Sequence, residues 1–116
     1  MLSGPVKKSA KLLQIIKNMQ TNYTGKKVIV RAYGAGVFYG TFVEKEGQTV
    51  VLKDARRIYY WSGASDCNEL AEAGCDKDSK LTRPCSEVMI EQVLEVHPCS
   101  EAAILNLDSI KEWKYR

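Results

Sequence analysis

The stretch KKVIVRAYGAGVFYGTFVEKEGQTVVLKDARRIYYW, residues 26–61, decides the fold. It is dense in β-branched and aromatic residues, which suit a pleated, half-buried surface. Turn residues punctuate it at short intervals. KKVIVRAY (26–33) reads as a strand, Gly34-Ala35-Gly36 as a turn, and VFYGTFVEK (37–45) as the returning strand. Glu46-Gly47 makes a second turn into QTVVLKD (48–54), and Ala55-Arg56-Arg57 is expected to open a fourth strand, IYYW (58–61). Tight connections at this spacing are a hairpin signature, so the expectation is a four-stranded meander. Ser62-Gly63-Ala64-Ser65 then releases the chain.

Toward the N-terminus, residues 5–20 carry Leu12, Leu13, Ile16 and Met19 at helical spacing, with Lys7, Lys8, Lys11 and Lys17 on the wetter side. This predicts an amphipathic helix with Pro5 in its first turn. Its apolar stripe must cover either its own sheet or another subunit. Toward the C-terminus, Asp66 with Glu69 three residues on forms a capping box, and Gly74 a left-handed stop, which predicts a short helix over 66–73. Residues 75–86 read as a polar loop. EVMIEQVLEVH (87–97) reads as one alternating strand, with Val88, Ile90, Leu94 and Val96 on the apolar side. Gln92 interrupts that row, and a polar group on a buried face needs a partner, a ligand or a backbone carbonyl. Ser100 caps a short helix over 101–107, and SIKEWKYR (109–116) is expected to form a final edge strand.

The chain has 116 residues, 45% of them hydrophobic, enough for one core and too few for two. The expected class is therefore α+β: an antiparallel sheet of a meander plus later strands, an N-terminal amphipathic helix and a short capped helix. Residues 1–116 form a single domain, with an N-terminal helical segment (1–25) and a β-rich ligand-binding core (26–116). No apolar run approaches the ~18–20 residues of a membrane-spanning helix. The N-terminus has no apolar stretch of signal-peptide length, so a cytoplasmic location is expected.

Charge is split along the chain. Residues 1–60 carry eleven Lys/Arg against three Asp/Glu, and residues 61–116 carry six against eleven. A basic half suits an anionic ligand; equally, the two halves neutralise each other in the fold or between subunits. Cys67, Cys75, Cys85 and Cys99 include no CxxC pair, which disfavours a zinc ribbon, and free thiols are the default. The lone His97 near Cys99 leaves one mixed Cys/His arrangement to consider, and no metal or cofactor is expected.

Catalysis is poorly supported. There is one histidine, and no nucleophile elbow, HExxH, P-loop or GxGxxG. The expectation is binding without turnover. Strand alternation puts Arg57, Tyr59 and Trp61 on one face and Arg56, Ile58 and Tyr60 on the other. A guanidinium grips phosphate by two parallel hydrogen bonds, and aromatic faces stack on bases for about 1–3 kcal/mol each. The same residues also describe a small core with an arginine rim. Gly34-Ala35-Gly36 is either a hairpin turn or a close-approach anion nest. Lys80-Leu81-Thr82-Arg83-Pro84 brings two more cations beside a hydroxyl, as a solvated loop or as a lid.

The runs VIVRAYGAGVFYGTF and VVLKDARRIYYWSGAS, the capped helix ending in Gly74, Pro84-Cys85 and the alternating strand together resemble phage-encoded signal-sequestering proteins, the type one Thoeris anti-defence sponges. The likeness spans roughly residues 26–98 and is most specific in ARRIYYWSGA (55–64) and AGV (35–37). It implies a small non-enzymatic oligomer, a dimer or hexamer, in the cytoplasm of the infected bacterium. It would hold cyclic ADP-ribose isomers intact so that an immune effector is never activated. Some such proteins also bind cyclic di- or trinucleotides at a separate site. The residues that would serve are Arg56 or Arg57, Tyr59, Tyr60 or Trp61, the Gly34-Ala35-Gly36 turn, and the polar Asn68, Thr82 and Gln92. An aromatic often precedes the proline of the Pro-Cys pair in this family; here Arg83 stands there, and it would stack its guanidinium plane or grip phosphate. Nanomolar sequestration, about −12 kcal/mol, needs deep enclosure. A chain this short implies pockets at a subunit interface, walled by the Arg57 strand and the 75–86 loop of a neighbour. The alternatives are a small nucleic-acid-binding module and a non-catalytic protein–protein inhibitor.

Overall fold

The structure is a computed structural model that describes residues 11–12 and 23–114. The helix expected over 5–20 lies outside the described residues, apart from 11 and 12. The remainder is α+β, with six strands in one antiparallel sheet and two helices. The strands are β1 (Lys27–Ala32), β2 (Gly36–Glu46), β3 (Thr49–Tyr60), β4 (Lys80–Leu81), β5 (Cys85–Ile90) and β6 (Val93–Pro98). The helices are α1 (Cys67–Ala73) and α2 (Glu101–Ser109).

The meander has three strands rather than four. No turn separates 48–54 from 58–61; both belong to the twelve-residue β3. Arg56 and Arg57 stay in the ladder, paired with Tyr39 and Phe38. The irregularity that resembles a turn in the sequence is a bend. Asp54 adopts a left-handed φ of 51°, and the register with β2 shifts between Tyr39 and Thr41. Asp tolerates this conformation better than most side chains, and a bulge bends and twists its strand. Gly40 sits at the same bend, where a Cβ would lie 3.0 Å from the Ala55 Cα and 3.1 Å from the Lys53 carbonyl oxygen.

That bend rolls the sheet. Ile90 at the end of β5 pairs with Val50, near the β2–β3 turn. Val93 at the start of β6 pairs with Ala32, next to the β1–β2 turn. In a flat sheet those turns would stand about 30 Å apart along β2. Three residues of chain reach only ~10 Å, so the two ends must be curled together. The Val93 amide donates to the Gln48 carbonyl at 2.8 Å, and the Tyr33 amide to the Gln92 carbonyl at 2.9 Å. The single strand expected over 87–97 is therefore two strands with different partners. Gln92, with φ 56°, is their corner and is exposed, not a polar intruder on a buried face. Its extra residue reverses the alternation, so Val93 is buried and Leu94 is 51% exposed.

Both faces of the rolled sheet are covered, which is why VIV (28–30) runs unbroken. Inside the curl, Val28, Val30, Phe38, Phe42, Val50, Leu52, Ala55, Ile90 and Val93 form one core. Outside it, Ile29, Val37, Tyr39 and Ile58 pack against Leu70 and Ala71 of α1 and Ala103 and Leu107 of α2. Asp66 caps α1, its carboxylate accepting from the Glu69 amide at 3.0 Å, while Glu69 reaches back to the Ser65 amide at 3.0 Å. Ser100 caps α2 through the Ala103 amide at 3.0 Å, and its hydroxyl also donates to the Glu72 carbonyl at 2.6 Å, tying the helices together. Of the final edge strand expected over 109–116, residues 115 and 116 lie outside the described residues, Ser109 belongs to α2, and the described remainder shows a single parallel bridge from Glu112 to Leu81.

Candidate functional site

The bend in β3 decides which residues come together. Because Asp54 shifts the alternation, Ala55, Arg57 and Tyr59 share the inner face with Phe38. They line a concavity of about 300 Å³ with Thr82, Arg83, Cys85 and Val88. The Arg57 guanidinium lies 4.7 Å from the centre of the Phe38 ring, which holds the cation over an apolar floor. Thr82 fixes the strand's other edge: its hydroxyl accepts from the Arg57 amide at 2.9 Å, and its own amide donates to the Arg57 carbonyl at 3.0 Å. Among the described residues neither Arg57 nor Arg83 forms an ion pair with a carboxylate. The lining therefore holds two unopposed cations, the Thr82 hydroxyl and the rings of Phe38 and Tyr59, and no carboxylate. Such a surface attracts an anion that carries a flat ring.

Tyr59 extends the aromatic surface outward. Its ring is 5.0 Å from that of Trp113, inclined by 47°, and Lys80 Nζ lies 5.5 Å from the Trp113 ring centre. Sequence reasoning missed Trp113 because residues 111–114 follow no regular helix or strand, and only the tertiary path along Leu81 brings the indole here. Cys85 is an exposed free thiol at the rim of the concavity.

The other sequence-derived residues lie elsewhere. Arg56 points to the opposite face, is 5% exposed, and is fully occupied. It donates to the carbonyls of Thr82 (Nε, 2.7 Å), Leu107 (2.7 Å) and Ile110 (2.8 Å), with longer contacts at 3.4 Å to Leu81 and Lys111. Burial lowers its pKa, opposed by the charges of Glu112 and Asp108. It is a clamp on the end of α2 and carries no donor toward the concavity. Tyr60 follows the same alternation as Ile58 and stands exposed at the sheet's end, paired in register with Lys80.

Trp61 departs from Arg57 and Tyr59. β3 ends at Tyr60, and the Trp61 indole donates to the Ala64 carbonyl at 3.2 Å. It lines a second concavity of about 410 Å³ with Asn68, Arg31, Val37, Ser65, Asp66 and Glu95. There Arg31 donates to Glu95 at 3.2 Å, and His97 Nε2 lies 2.8 Å from the same carboxylate. The hydrogen bond with His97, then the charges of His97 and Arg31, hold Glu95 below the usual carboxylate range. Gly34, Ala35 and Gly36 form the β1–β2 turn, outside both concavities. Left-handed φ values of 81° at Gly34 and 99° at Gly36 account for the glycines, and a Cβ at either would meet nothing within 4 Å. Gln92 lies beside this turn through its carbonyl. Among the described residues no group of three or more His, Cys, Asp or Glu is placed to hold a metal ion. No described helix is long and apolar enough to cross a membrane.

A family model for a domain of unknown function, DUF6948, matches residues 25–107. The chain belongs to the DUF6948 family. The matched span contains β1 to β6, α1 and most of α2, so both concavities are built from DUF6948 residues. Trp113 lies beyond it. No curated protein and no solved structure matched the chain.

Proposed function

We propose that this DUF6948 protein is a non-catalytic sponge that binds cyclic ADP-ribose isomers and holds them intact, blocking activation of a bacterial immune effector during phage infection. One observation carries the ligand chemistry: Arg57 and Arg83, without carboxylate partners among the described residues, flank a concavity that also holds Tyr59 and Thr82. Two guanidinium groups suit a diphosphate, the tyrosine face suits adenine, and the hydroxyl suits a ribose. The likeness of residues 55–64 to the type one Thoeris anti-defence sponges supplies the isomer class and the biological setting.

At about 300 Å³ the concavity is at the small end for a ligand of this size. In this reading a second copy completes it, which makes the protein a homo-oligomer, a dimer or hexamer. The larger concavity at Trp61, Asn68 and Arg31 is the place this reading gives to cyclic di- or trinucleotides.

Calorimetry with purified cyclic ADP-ribose isomers, followed by heat release and chromatography of the ligand, tests the proposal. Nanomolar binding with recovery of the unmodified isomer is expected. Recovery of a linear product would make the protein an enzyme, and silence in calorimetry would remove the proposal. Alkylation offers a second readout, because bound ligand should shield Cys85 at the rim while the buried Cys67 and Cys75 stay unreactive throughout.

A further inference from the structure

We propose that Trp113 is a ligand-positioning residue that acts through Tyr59, so that the C-terminal strap and the sheet together build the base-binding end of the site. This rests on the reading above of the concavity as a nucleotide site.

The strap is held from two sides. The Trp113 amide donates to the Leu81 carbonyl at 2.8 Å. From beneath, Arg56 donates to the Ile110 carbonyl at 2.8 Å and reaches the Lys111 carbonyl at 3.4 Å. These bonds deliver a half-buried indole to the edge of the sheet where Tyr59 emerges. Tyr59 is 64% exposed. The contact with Trp113, at 5.0 Å and 47°, constrains the phenol from the strap side. Trp113 does not line the concavity; it meets a ligand there only by way of Tyr59.

A ring fixed in advance binds a flat partner with less loss of rotamer freedom than a swinging one. The effect belongs to the base and not to the phosphates, which Arg57 and Arg83 face. That asymmetry separates positioning from a general structural role. A strap needed only for folding would weaken every ligand alike.

The test uses two probes, cyclic ADP-ribose and inorganic pyrophosphate, on the full chain by calorimetry, with melting temperature recorded for each variant. Trp113→Ala should weaken cyclic ADP-ribose by about five- to tenfold, the scale of one aromatic pair, and leave pyrophosphate affinity within about twofold. Trp113→Phe should restore most of the loss. In a Tyr59→Ala background, Trp113→Ala should add nothing, because the residue through which it acts is gone. If Trp113→Ala does not fold, Trp113→Leu against Trp113→Phe carries the same comparison. Equal losses on both probes, a full further loss in the Tyr59→Ala background, or no loss in the single variant would each overturn the proposal. A wild-type chain that binds neither probe overturns the nucleotide-site reading and this inference together. Wild-type binding that is untouched by the strap variants overturns the inference alone.

Discussion

Adjacent arginines in one strand have opposite fates here. Arg56 and Arg57 are chemically identical and one residue apart, so period-two alternation sends them to different faces. Arg56 meets five carbonyls, three at and just past the end of α2 and two at Leu81 and Thr82; Arg57 meets the Phe38 ring and open space. Substitution should separate the two roles. Arg57→Ala and Arg83→Ala are each expected to weaken cyclic ADP-ribose binding at least tenfold with little change in melting temperature. A charge-assisted hydrogen bond is worth about 1.5–3 kcal/mol. Arg56→Ala should do the reverse, costing roughly 3 kcal/mol of stability because buried carbonyls lose their donors. Denaturant melts beside calorimetry on the three variants decide it; a stable, non-binding Arg56→Ala would place the wrong arginine in the site.

The element that controls the site is the bend of β2 and β3. Without the irregularity at Asp54, Arg57 and Tyr59 would follow Val51 onto the other face. Gly40 leaves room for the bend, because a Cβ there would lie 3.0 Å from the Ala55 Cα and 3.1 Å from the Lys53 carbonyl oxygen. Gly40→Ala is expected to cost about 1–3 kcal/mol, since the obstructing atoms are backbone and the Ala55 Cβ and cannot swing away. It should also weaken ligand binding, because straightening the bend moves Arg57. An unfolding midpoint equal to wild type would show that the backbone there gives way easily. The helices depend on simpler chemistry. Asp66, Glu69 and Ser100 perform capping roles, and both short helices are where the sequence puts them; Gly74 ends its helix with a positive φ of 81° but a ψ of −152°, outside the left-handed helical conformation expected of it. β5 and β6 were not legible in that way. EVMIEQVLEVH alternates well enough to pass for one strand, and only the positive φ of Gln92 divides it.

Across the whole molecule, uncharged ionisable groups that are buried or, like Cys99, half-buried set the response to alkali. Burial pushes the Cys99 thiol up to about 12 from an ordinary value of 9.0 and raises those of Cys67 and Cys75. Burial, then the hydrogen bond to Asp108, also raises Tyr39. In each case the folded chain keeps a proton that the unfolded chain releases. Stability from these groups is therefore full below about pH 9 and falls as pH climbs toward 12. Melting temperature should decline steadily above about pH 9, and Cys99→Ala should lessen the decline. A melting temperature flat to pH 11 would contradict these burials. Glu95 acts at the other limb: its lowered pKa contributes stability above the ordinary carboxylate value that is lost as pH falls through the lowered one. Charge has a whole-molecule signature as well. A diphosphate held by two arginines should lose affinity only gently with salt, unlike a nucleic-acid track that neutralises many phosphates.

The sequence by itself determined the class, the first two strands, both short helices with their caps, and the inventory of cations and aromatics from which a site is made. These are local properties, written in side-chain period, turn chemistry and capping, and they survive whatever the rest of the chain does. Tertiary structure alone decided that Thr49–Tyr60 is one bent strand, that the sheet rolls, that Arg56 is a clamp while Arg57 is free, and that Trp113 stands beside Tyr59. Each of those depends on a backbone dihedral or a contact between residues far apart in the chain. A shift of one residue at Asp54 exchanges the two faces of everything after it, and no composition or periodicity upstream specifies that shift.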